Sequence, residues 1–125
     1  MASSDVLKDK IRSNKARIAV LGLGYVGLPL ASLFADRGFP VFGIDTDVEK
    51  IRLLRSGEPR TDNKNNSLRV GRDMDCQDVK VDFTHDFSVL SASDVVIICV
   101  PTPLSKTGDP DLTFIISAAK QTAKY

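Results

Sequence analysis

The sequence predicts an α/β protein with a doubly wound parallel sheet. Short apolar runs that suit buried strands alternate along the chain with segments whose apolar residues recur at helical spacing. A glycine-rich turn, residues 22–27, directly follows the first of these runs. Strand-helix-strand connections of this kind are right-handed and place helices on both faces of a sheet. We therefore expect about four strands in the usual order 3-2-1-4.

The first half of the chain contains a complete β-α-β unit. Residues 17–21 are nearly all apolar and partly β-branched, as in a strand buried on both faces. After Gly27, apolar residues recur at helical spacing until a basic turn and a glycine at residues 37–38 end the helix. A second strand is predicted at residues 41–44, and a second helix at residues 48–56.

The second half continues the alternation. Residues 58–78 are polar with few apolar anchors, which predicts a surface connection. Residues 79–84 alternate apolar and polar side chains, as a half-buried strand does, and a short helix is expected near Phe87. Residues 95–100 form the most apolar run and predict a central parallel strand. An amphipathic helix is expected from about residue 109 to the last residue, 125.

Composition indicates one small domain, with residues 1–16 as a polar lead-in and residues 17–125 as the domain. Seventeen basic and sixteen acidic side chains nearly cancel, so we expect no nucleic-acid or membrane partner. No apolar run is long enough to span a bilayer, and the first fifteen residues lack the apolar stretch of a signal peptide. These features predict a cytoplasmic protein whose two cysteines are thiols.

The glycine turn matches the pattern G-x-G-x-x-G and lies between a predicted strand and a predicted helix. In such a turn the glycines allow a tight bend, backbone approach to a pyrophosphate and close helix packing, while the helix N-terminus attracts the phosphates. Asp45 ends the second strand, where a carboxylate accepts hydrogen bonds from the adenosine ribose and repels a 2′-phosphate. We therefore predict NAD, rather than NADP, as the cofactor. The predicted cofactor-binding residues of this motif are Gly22, Leu23, Gly24, Tyr25, Val26, Gly27 and Asp45.

The alternative is purely structural: the glycines only make a tight turn, and Asp45 only caps the helix that follows it. The agreement of strand, glycines, helix and acidic residue favours the cofactor site.

A second candidate region follows the fourth predicted strand. In the order 3-2-1-4, strands one and four are neighbours, and ligands bind where the strand order reverses. The loop Val100, Pro101 and Thr102 is therefore expected to face the glycine turn. Its prolines fix an extended backbone and leave the Thr102 hydroxyl as a ligand candidate. The alternative is a rigid turn with an exposed threonine.

No residue is assigned a catalytic or metal-binding role. His85 lies at a predicted strand end and is expected at the surface. Cys99 is expected to be a core thiol, and Cys76 lacks the basic setting of a nucleophile. The remaining candidates, which lack the glycine and glutamate of a calcium loop, are Asp73, Asp75 and Asp78.

Residues 18–30, 100–104 and 110–112 together resemble the N-terminus of the UDP-sugar 6-dehydrogenases, a nucleotide-sugar dehydrogenase family, and are most similar to its bacterial UDP-N-acetyl-hexosamine branch. The resemblance implies a Rossmann-type fold and an oxidoreductase of polysaccharide biosynthesis. Such an enzyme oxidises the C6 alcohol of a UDP-sugar to a carboxylate with two NAD, through a cysteine thioester.

The resemblance also implies roles for particular residues. Tyr25 and Val26 would contact the cofactor, and Thr102 would lie near its nicotinamide half. Asp45 and Lys50 would take the adenosine ribose. The role of Lys50 is implied by the resemblance alone, because by pattern it is an ordinary helix-surface lysine.

Residues 59–78 do not resemble the family, and its catalytic segments belong to later regions. We therefore expect a truncated domain, lacking strands five and six, that binds NAD without catalysing oxidation. An open edge on the strand at residues 95–100 would then favour a homodimer. Two alternatives are a stand-alone regulatory module that binds NAD or another adenine nucleotide, and a relative of the β-hydroxyacid dehydrogenases. The Val-Pro-Thr-Pro-Leu loop argues against the latter.

Overall fold

The computed structural model describes residues 3–56 and 81–125. In chain order the elements are α1 (Ser3–Arg12), β1 (Ile18–Leu21), α2 (Gly27–Asp36), β2 (Val41–Ile44), α3 (Val48–Ser56), β3 (Val81–Thr84), a 3-10 helix (Phe87–Ala92), β4 (Val95–Ile98) and α4 (Thr113–Lys124). The surface connection expected at residues 58–78 lies outside the described residues. Among the helices that are described, none has the length and apolar character needed to cross a membrane.

The strands of the described residues form one parallel sheet in the order β3-β2-β1-β4. Ile18 of β1 lies opposite Val41 of β2 on one side and Val95 of β4 on the other. The next pair, β2 with β3, continues the same register from Val41 opposite Val81. This arrangement confirms the predicted α/β class and strand order. Because all strands are parallel, the segments that follow them meet at one edge of the sheet, the carboxyl edge.

Alternate residues of β1 face the two sides of the sheet, and all four are buried. Ile18 and Val20 belong to a core that includes α2 and α3 residues. Ala19 and Leu21 belong to a second core, which contains Leu90 of the 3-10 helix and Ala118 of α4. The continuous apolar run of β1 is therefore explained by helices on both faces of the sheet.

Three predicted elements differ in detail. The fourth strand ends at Ile98 rather than at residue 100, and Ile98 is 38% exposed, because β4 has only β1 as a neighbour within the described residues. The short helix near Phe87 is a 3-10 helix. The last helix begins at Thr113 rather than near residue 109, because the preceding residues form a small hairpin with an antiparallel bridge between Leu104 and Pro110.

The polar lead-in contains α1, which is tied to the opposite, amino edge of the sheet. Asp94, just before β4, accepts a hydrogen bond from the backbone N–H of Arg17 at 2.8 Å and one from the Lys10 ammonium at 3.0 Å. We call this set of three groups the amino-edge clamp. The hydrogen bond from Arg17, followed by that from Lys10, holds the pKa of Asp94 below its usual value.

Candidate functional site

A cleft of about 450 Å³ opens at the carboxyl edge of the sheet, between the segments that follow β1 and β4. Its walls include the predicted residues Gly22, Leu23, Gly24, Tyr25, Val26, Asp45, Lys50, Val100, Pro101 and Thr102. Gly27 is buried beneath the loop and does not line the cleft. The fold therefore brings together two regions of the sequence that lie at least fifty residues apart. A larger cleft of about 860 Å³, near Phe39 and Pro40, contains none of the predicted site residues.

Two glycines of the turn are required by the fold itself. Gly22 has a φ of +96°, donates its N–H to the carbonyl of Ile44 at 2.8 Å, and would place a Cβ 2.6 Å from the carbonyl oxygen of Cys99. A Cβ on Gly27 would overlap the carbonyl oxygen of Gly22. Both contacts involve backbone atoms, which cannot rotate away as a side chain can. These glycines let β1, its loop, α2 and the end of β4 pack closely.

Gly24 has a different environment. A Cβ added there would meet no atom within 4 Å, so no protein neighbour requires this residue to be a glycine. Close to it, α2 begins without a side-chain cap on Val26 and with no acidic residue in its first turn. A helix N-terminus of this kind leaves backbone N–H donors and a positive dipole end available to an anion. The open space at Gly24 therefore suits the approach of a pyrophosphate to the backbone.

The other three residues of the turn divide between core and surface. The side chain of Leu23 is fully buried, so this residue faces the cleft with its backbone. Tyr25 and Val26 are 69% and 67% exposed and lie at the cleft. They present apolar surface that a bound ligand would cover.

Asp45 is the one acidic residue among the described residues that line the cleft, and its carboxylate accepts three hydrogen bonds. One carboxylate oxygen, Oδ2, accepts the backbone N–H of Leu23 at 2.9 Å and the ammonium of Lys50 at 3.1 Å. The other, Oδ1, accepts the backbone N–H of Asp47 at 3.0 Å. We call Asp45, the Leu23 N–H and Lys50 the carboxyl-edge clamp. Asp45 thus holds the glycine loop directly, a function that neither interpretation of the sequence included.

Burial opposes ionisation of Asp45, but the backbone hydrogen bonds from Asp47 and Leu23 and the charge of Lys50 outweigh it. The pKa of Asp45 is therefore held below its usual value. The carboxylate is ionised at neutral pH, as an acceptor for ribose hydroxyl groups should be.

Lys50 reaches Asp45 from the first turn of α3. The backbone N–H of Lys50 donates to Asp47 Oδ1 at 3.1 Å, so Asp47, and not Asp45, supplies the side-chain cap of α3. The Lys50 and Asp45 side chains are only 18% and 12% exposed. The pair is therefore shielded from water more than an ordinary surface ion pair.

The loop after β4 forms the opposite wall. Val100 is partly buried, while Pro101 and Thr102 are exposed. The backbone N–H of Asp111 stabilises the loop by donating a hydrogen bond to the carbonyl of Pro103 at 2.7 Å. The structure places Thr102 across the cleft from the glycine loop, as the strand order predicts. Its role as a ligand stays a prediction.

Further wall residues were not identified from the sequence: Thr46, Phe87, Phe114, Ser117 and Ala118. Phe114 and Ala118 are four residues apart on α4, a spacing that by itself predicts only the core face of a helix. Cys99 also lines the cleft and is partly rather than fully buried, and this burial raises the pKa of its thiol.

The remaining candidates are His85, Cys76 and three aspartates. His85 is exposed, as expected. Cys76 and the three aspartates considered for a calcium loop lie outside the described residues. Within residues 3–56 and 81–125, no three or more His, Cys, Asp or Glu side chains are grouped so that they could hold a metal ion.

A parallel sheet in the order 3-2-1-4, with a glycine loop where the strand order reverses, defines a dinucleotide-binding domain of the Rossmann type. Residues 16–125 match the family model described as UDP-glucose/GDP-mannose dehydrogenase family, NAD binding domain. The chain belongs to this family, and its cofactor is NAD.

The chain is also similar to individual nucleotide-sugar dehydrogenases. The chain is 39% identical over 115 residues to UDP-glucose 6-dehydrogenase TuaD of Bacillus subtilis, a match covering 87% of this chain and 23% of that protein. It is 41% identical over 114 residues to UDP-N-acetyl-D-mannosamine dehydrogenase of Pyrococcus horikoshii, covering 86% and 25%. The chain thus spans about a quarter of the length of these relatives.

A solved NDP-N-acetyl-D-galactosaminuronic acid dehydrogenase of Methanosarcina mazei matches all of this chain and 28% of its own chain, with a TM-score of 0.76 and 30% identity. The N-terminal residues ahead of the family match are therefore included in this structural similarity.

Proposed function

We propose that NAD binds in the carboxyl-edge cleft, with its pyrophosphate on the glycine loop and its adenosine ribose at Asp45 and Lys50. The open space at Gly24, beside the uncapped start of α2, carries this proposal. A glycine is needed there only if something outside the protein approaches the backbone. The nicotinamide half would then extend towards Thr102.

Each group of the cleft has a physical task in this arrangement. The backbone N–H groups at the start of α2 offset the pyrophosphate charge without a basic side chain. The ionised Asp45 accepts hydrogen bonds from ribose hydroxyl groups, and the Lys50 ammonium, which donates one hydrogen bond to Asp45, retains further donors. Tyr25 and Val26 cover the cofactor from the cleft mouth.

We further propose that the whole protein is a cytoplasmic nucleotide-sugar dehydrogenase of polysaccharide biosynthesis, acting on a UDP-N-acetyl-hexosamine. In such an enzyme the bound NAD would supply a hydride acceptor, and two NAD together with one water molecule would be needed to oxidise the C6 alcohol to a carboxylate. The names of the relatives support a nucleotide-sugar substrate, and they include both UDP-glucose and UDP-N-acetyl-D-mannosamine dehydrogenases. The described residues of this chain supply the cofactor cleft. Association into a homodimer along β4 stays a prediction that sedimentation velocity can check.

Calorimetric titration with NAD tests the cofactor site. Asp45→Ala should weaken NAD binding by about 1–3 kcal/mol, because the ribose hydroxyl groups lose a charged acceptor. Asp82→Ala is the matched control, since Asp82 is an exposed aspartate of β3 outside this cleft. Equal dissociation constants for wild type and Asp45→Ala would remove Asp45 from the site.

Gly24→Val tests the pyrophosphate position independently. Its side chain should be tolerated by the fold, because the space around Gly24 is open, but should displace the pyrophosphate and abolish measurable NAD binding. Circular dichroism and thermal unfolding establish that the variant is folded. A folded Gly24→Val protein that binds NAD as tightly as the wild type would overturn the proposal.

A further inference from the structure

Two parts of the cleft lining are separated in the sequence by the hairpin that precedes α4. Pro101 and Thr102 come before this hairpin, and Phe114 and Ser117 come after it. The two parts form one continuous lining only if the end of the loop and the start of the helix keep a fixed relative position. Asp111 lies between them in the chain and does not itself line the cleft.

The backbone of Asp111 is bonded to the first part. Its N–H donates to the carbonyl of Pro103, the residue after Thr102, at 2.7 Å. The hairpin beyond this bond is closed by its own contacts, since the N–H of Ser105 donates to the carbonyl of Asp109 at 2.7 Å. The bond from Asp111 therefore lies at the base of the hairpin, on the side of the cleft residue Thr102.

The side chain of Asp111 is bonded to the second part. Its Oδ1 accepts the backbone N–H of Thr113 at 2.9 Å and also the Thr113 hydroxyl. Leu112, directly before α4, provides no side-chain cap, so Asp111 supplies the acceptor for the first turn of the helix. The hydrogen bonds from the Thr113 hydroxyl and N–H also hold the pKa of Asp111 below its usual value. The capping carboxylate is therefore ionised at neutral pH.

One residue thus connects the loop and the helix through two different groups. We propose that Asp111 is a positioning residue for NAD binding, because it fixes the start of α4 relative to the loop that carries Thr102. The inference rests on the proposed NAD site and extends it to a residue outside the cleft lining. Removal of the Asp111 side chain would release the start of α4, while the backbone bond to Pro103 remains.

Calorimetric titration with NAD tests this role. In Asp111→Ala the start of α4 loses its cap, so only a fraction of the free protein would have the whole cleft lining in place. The apparent affinity for NAD falls by that fraction, and the loss of one N-cap corresponds to about a fivefold decrease. Asp111→Asn keeps a side-chain oxygen that can accept the Thr113 N–H, so it should bind NAD within about twofold of the wild type.

Two further variants separate the cap from the rest of the hairpin. Asp109 is an exposed aspartate of the same hairpin whose carboxylate accepts the Thr107 hydroxyl at 3.2 Å, so Asp109→Ala is the matched control and should leave NAD binding unchanged. Thr113→Val removes only the hydroxyl bonded to Asp111 and should weaken NAD binding by about twofold. This variant keeps the test valid if Asp111→Ala does not fold.

Nuclear magnetic resonance of the free protein distinguishes positioning from a local loss of helix structure. The backbone amide signals of Thr102 and Ser117, one in each part of the lining, should both shift in Asp111→Ala and return in Asp111→Asn. A cap that only stabilises α4 would move the Ser117 signal and leave the Thr102 signal in place. The signal of Gly24, on the other side of the cleft, serves as the reference.

Three results would overturn the inference: a folded Asp111→Ala that binds NAD as tightly as the wild type, an Asp111→Asn that binds NAD as weakly as Asp111→Ala, or an unchanged Thr102 signal in Asp111→Ala. If Asp111→Ala does not fold, unchanged NAD binding by Thr113→Val overturns it instead. Each leaves the NAD site intact if the wild type binds NAD and Gly24→Val does not. A wild type that fails to bind NAD would overturn the proposed function, and this inference with it.

Discussion

Two aspartates at opposite edges of the sheet each accept a backbone N–H and a lysine ammonium. In the carboxyl-edge clamp Asp45 accepts the Leu23 N–H and the Lys50 ammonium, and in the amino-edge clamp Asp94 accepts the Arg17 N–H and the Lys10 ammonium. The aspartate and lysine side chains are 12% and 18% exposed in the first clamp, but 22% and 45% exposed in the second.

The two clamps differ in how far their side chains are buried, and this difference gives them different roles. At the amino edge, water can replace the contacts of Asp94, and the clamp only positions α1. At the carboxyl edge, the clamp orders the glycine loop beside the cleft, and few water molecules can substitute for it. The clamp is thus expected to matter more for stability at the carboxyl edge, where it also orders the glycine loop.

The largest expected loss of stability comes from a substitution in the glycine loop at the carboxyl edge. Gly27→Ala should lower the free energy of unfolding by about 3 kcal/mol or more, because its Cβ overlaps the Gly22 carbonyl oxygen and neither backbone can yield cheaply. Urea unfolding measures this loss. Gly24→Ala is the matched control and should stay within about 0.5 kcal/mol of the wild type. Equal stability of the two variants would show that the close approach of Gly27 to Gly22 is unimportant.

The comparison of the clamps is tested by truncating each aspartate. Asp45→Ala should lower the free energy of unfolding by about 2 kcal/mol, because the N–H of the buried Leu23 loses its acceptor. Asp94→Ala should cost about 1 kcal/mol or less, because Arg17 and Lys10 are exposed to water. The same urea titrations give both values, and a larger loss for Asp94→Ala would contradict the importance of burial.

The smallest expected effect is on the pH dependence of stability. The pKa values of Asp45 and Asp94 are both lowered by folding. Each carboxylate therefore stabilises the fold above the pKa that it has in the unfolded chain, about 3.9. This contribution is lost as the pH falls through the lower pKa that it has in the folded protein. Unfolding titrations at decreasing pH should show a shallower loss for Asp45→Asn, and to a lesser extent for Asp94→Asn, than for the wild type. Identical pH profiles for all three proteins would refute this linkage.

Much of the fold was predictable because its signals are local. The apolar run of β1 required cover on both faces, and the structure provides a core on each. The helix after Gly27 and the strand at Val41–Ile44 were predicted with nearly the observed bounds, since glycines and apolar periodicity mark their ends. The predicted end of β4 was wrong by two residues, because the apolar run continues to Val100 after the strand has ended at Ile98.

The candidate site was predictable only in part. The glycine motif and Asp45 were visible as residue types at fixed spacing, and the strand order placed Thr102 across from them. The contributions of Phe114 and Ser117 were missed, because helical spacing on α4 does not tell a core face from a cleft wall. Whether a residue of α4 faces the core or the cleft depends on where the hairpin before α4 positions the helix.

Local patterns in the sequence are enough to specify the class of fold, the order of its elements and the backbone freedom of the glycine loop, because periodicity and glycine positions act within a few residues. Only the packing of the whole sheet makes Asp45 accept the N–H of Leu23, twenty-two positions away, and makes Lys50 pair with the same oxygen. Such contacts depend on the register of β1 with β2, which places Leu21 opposite Ile44 and so brings the residues after both strands together. Register is a property of the packed sheet, since it is fixed by which side chains fill the two cores at once.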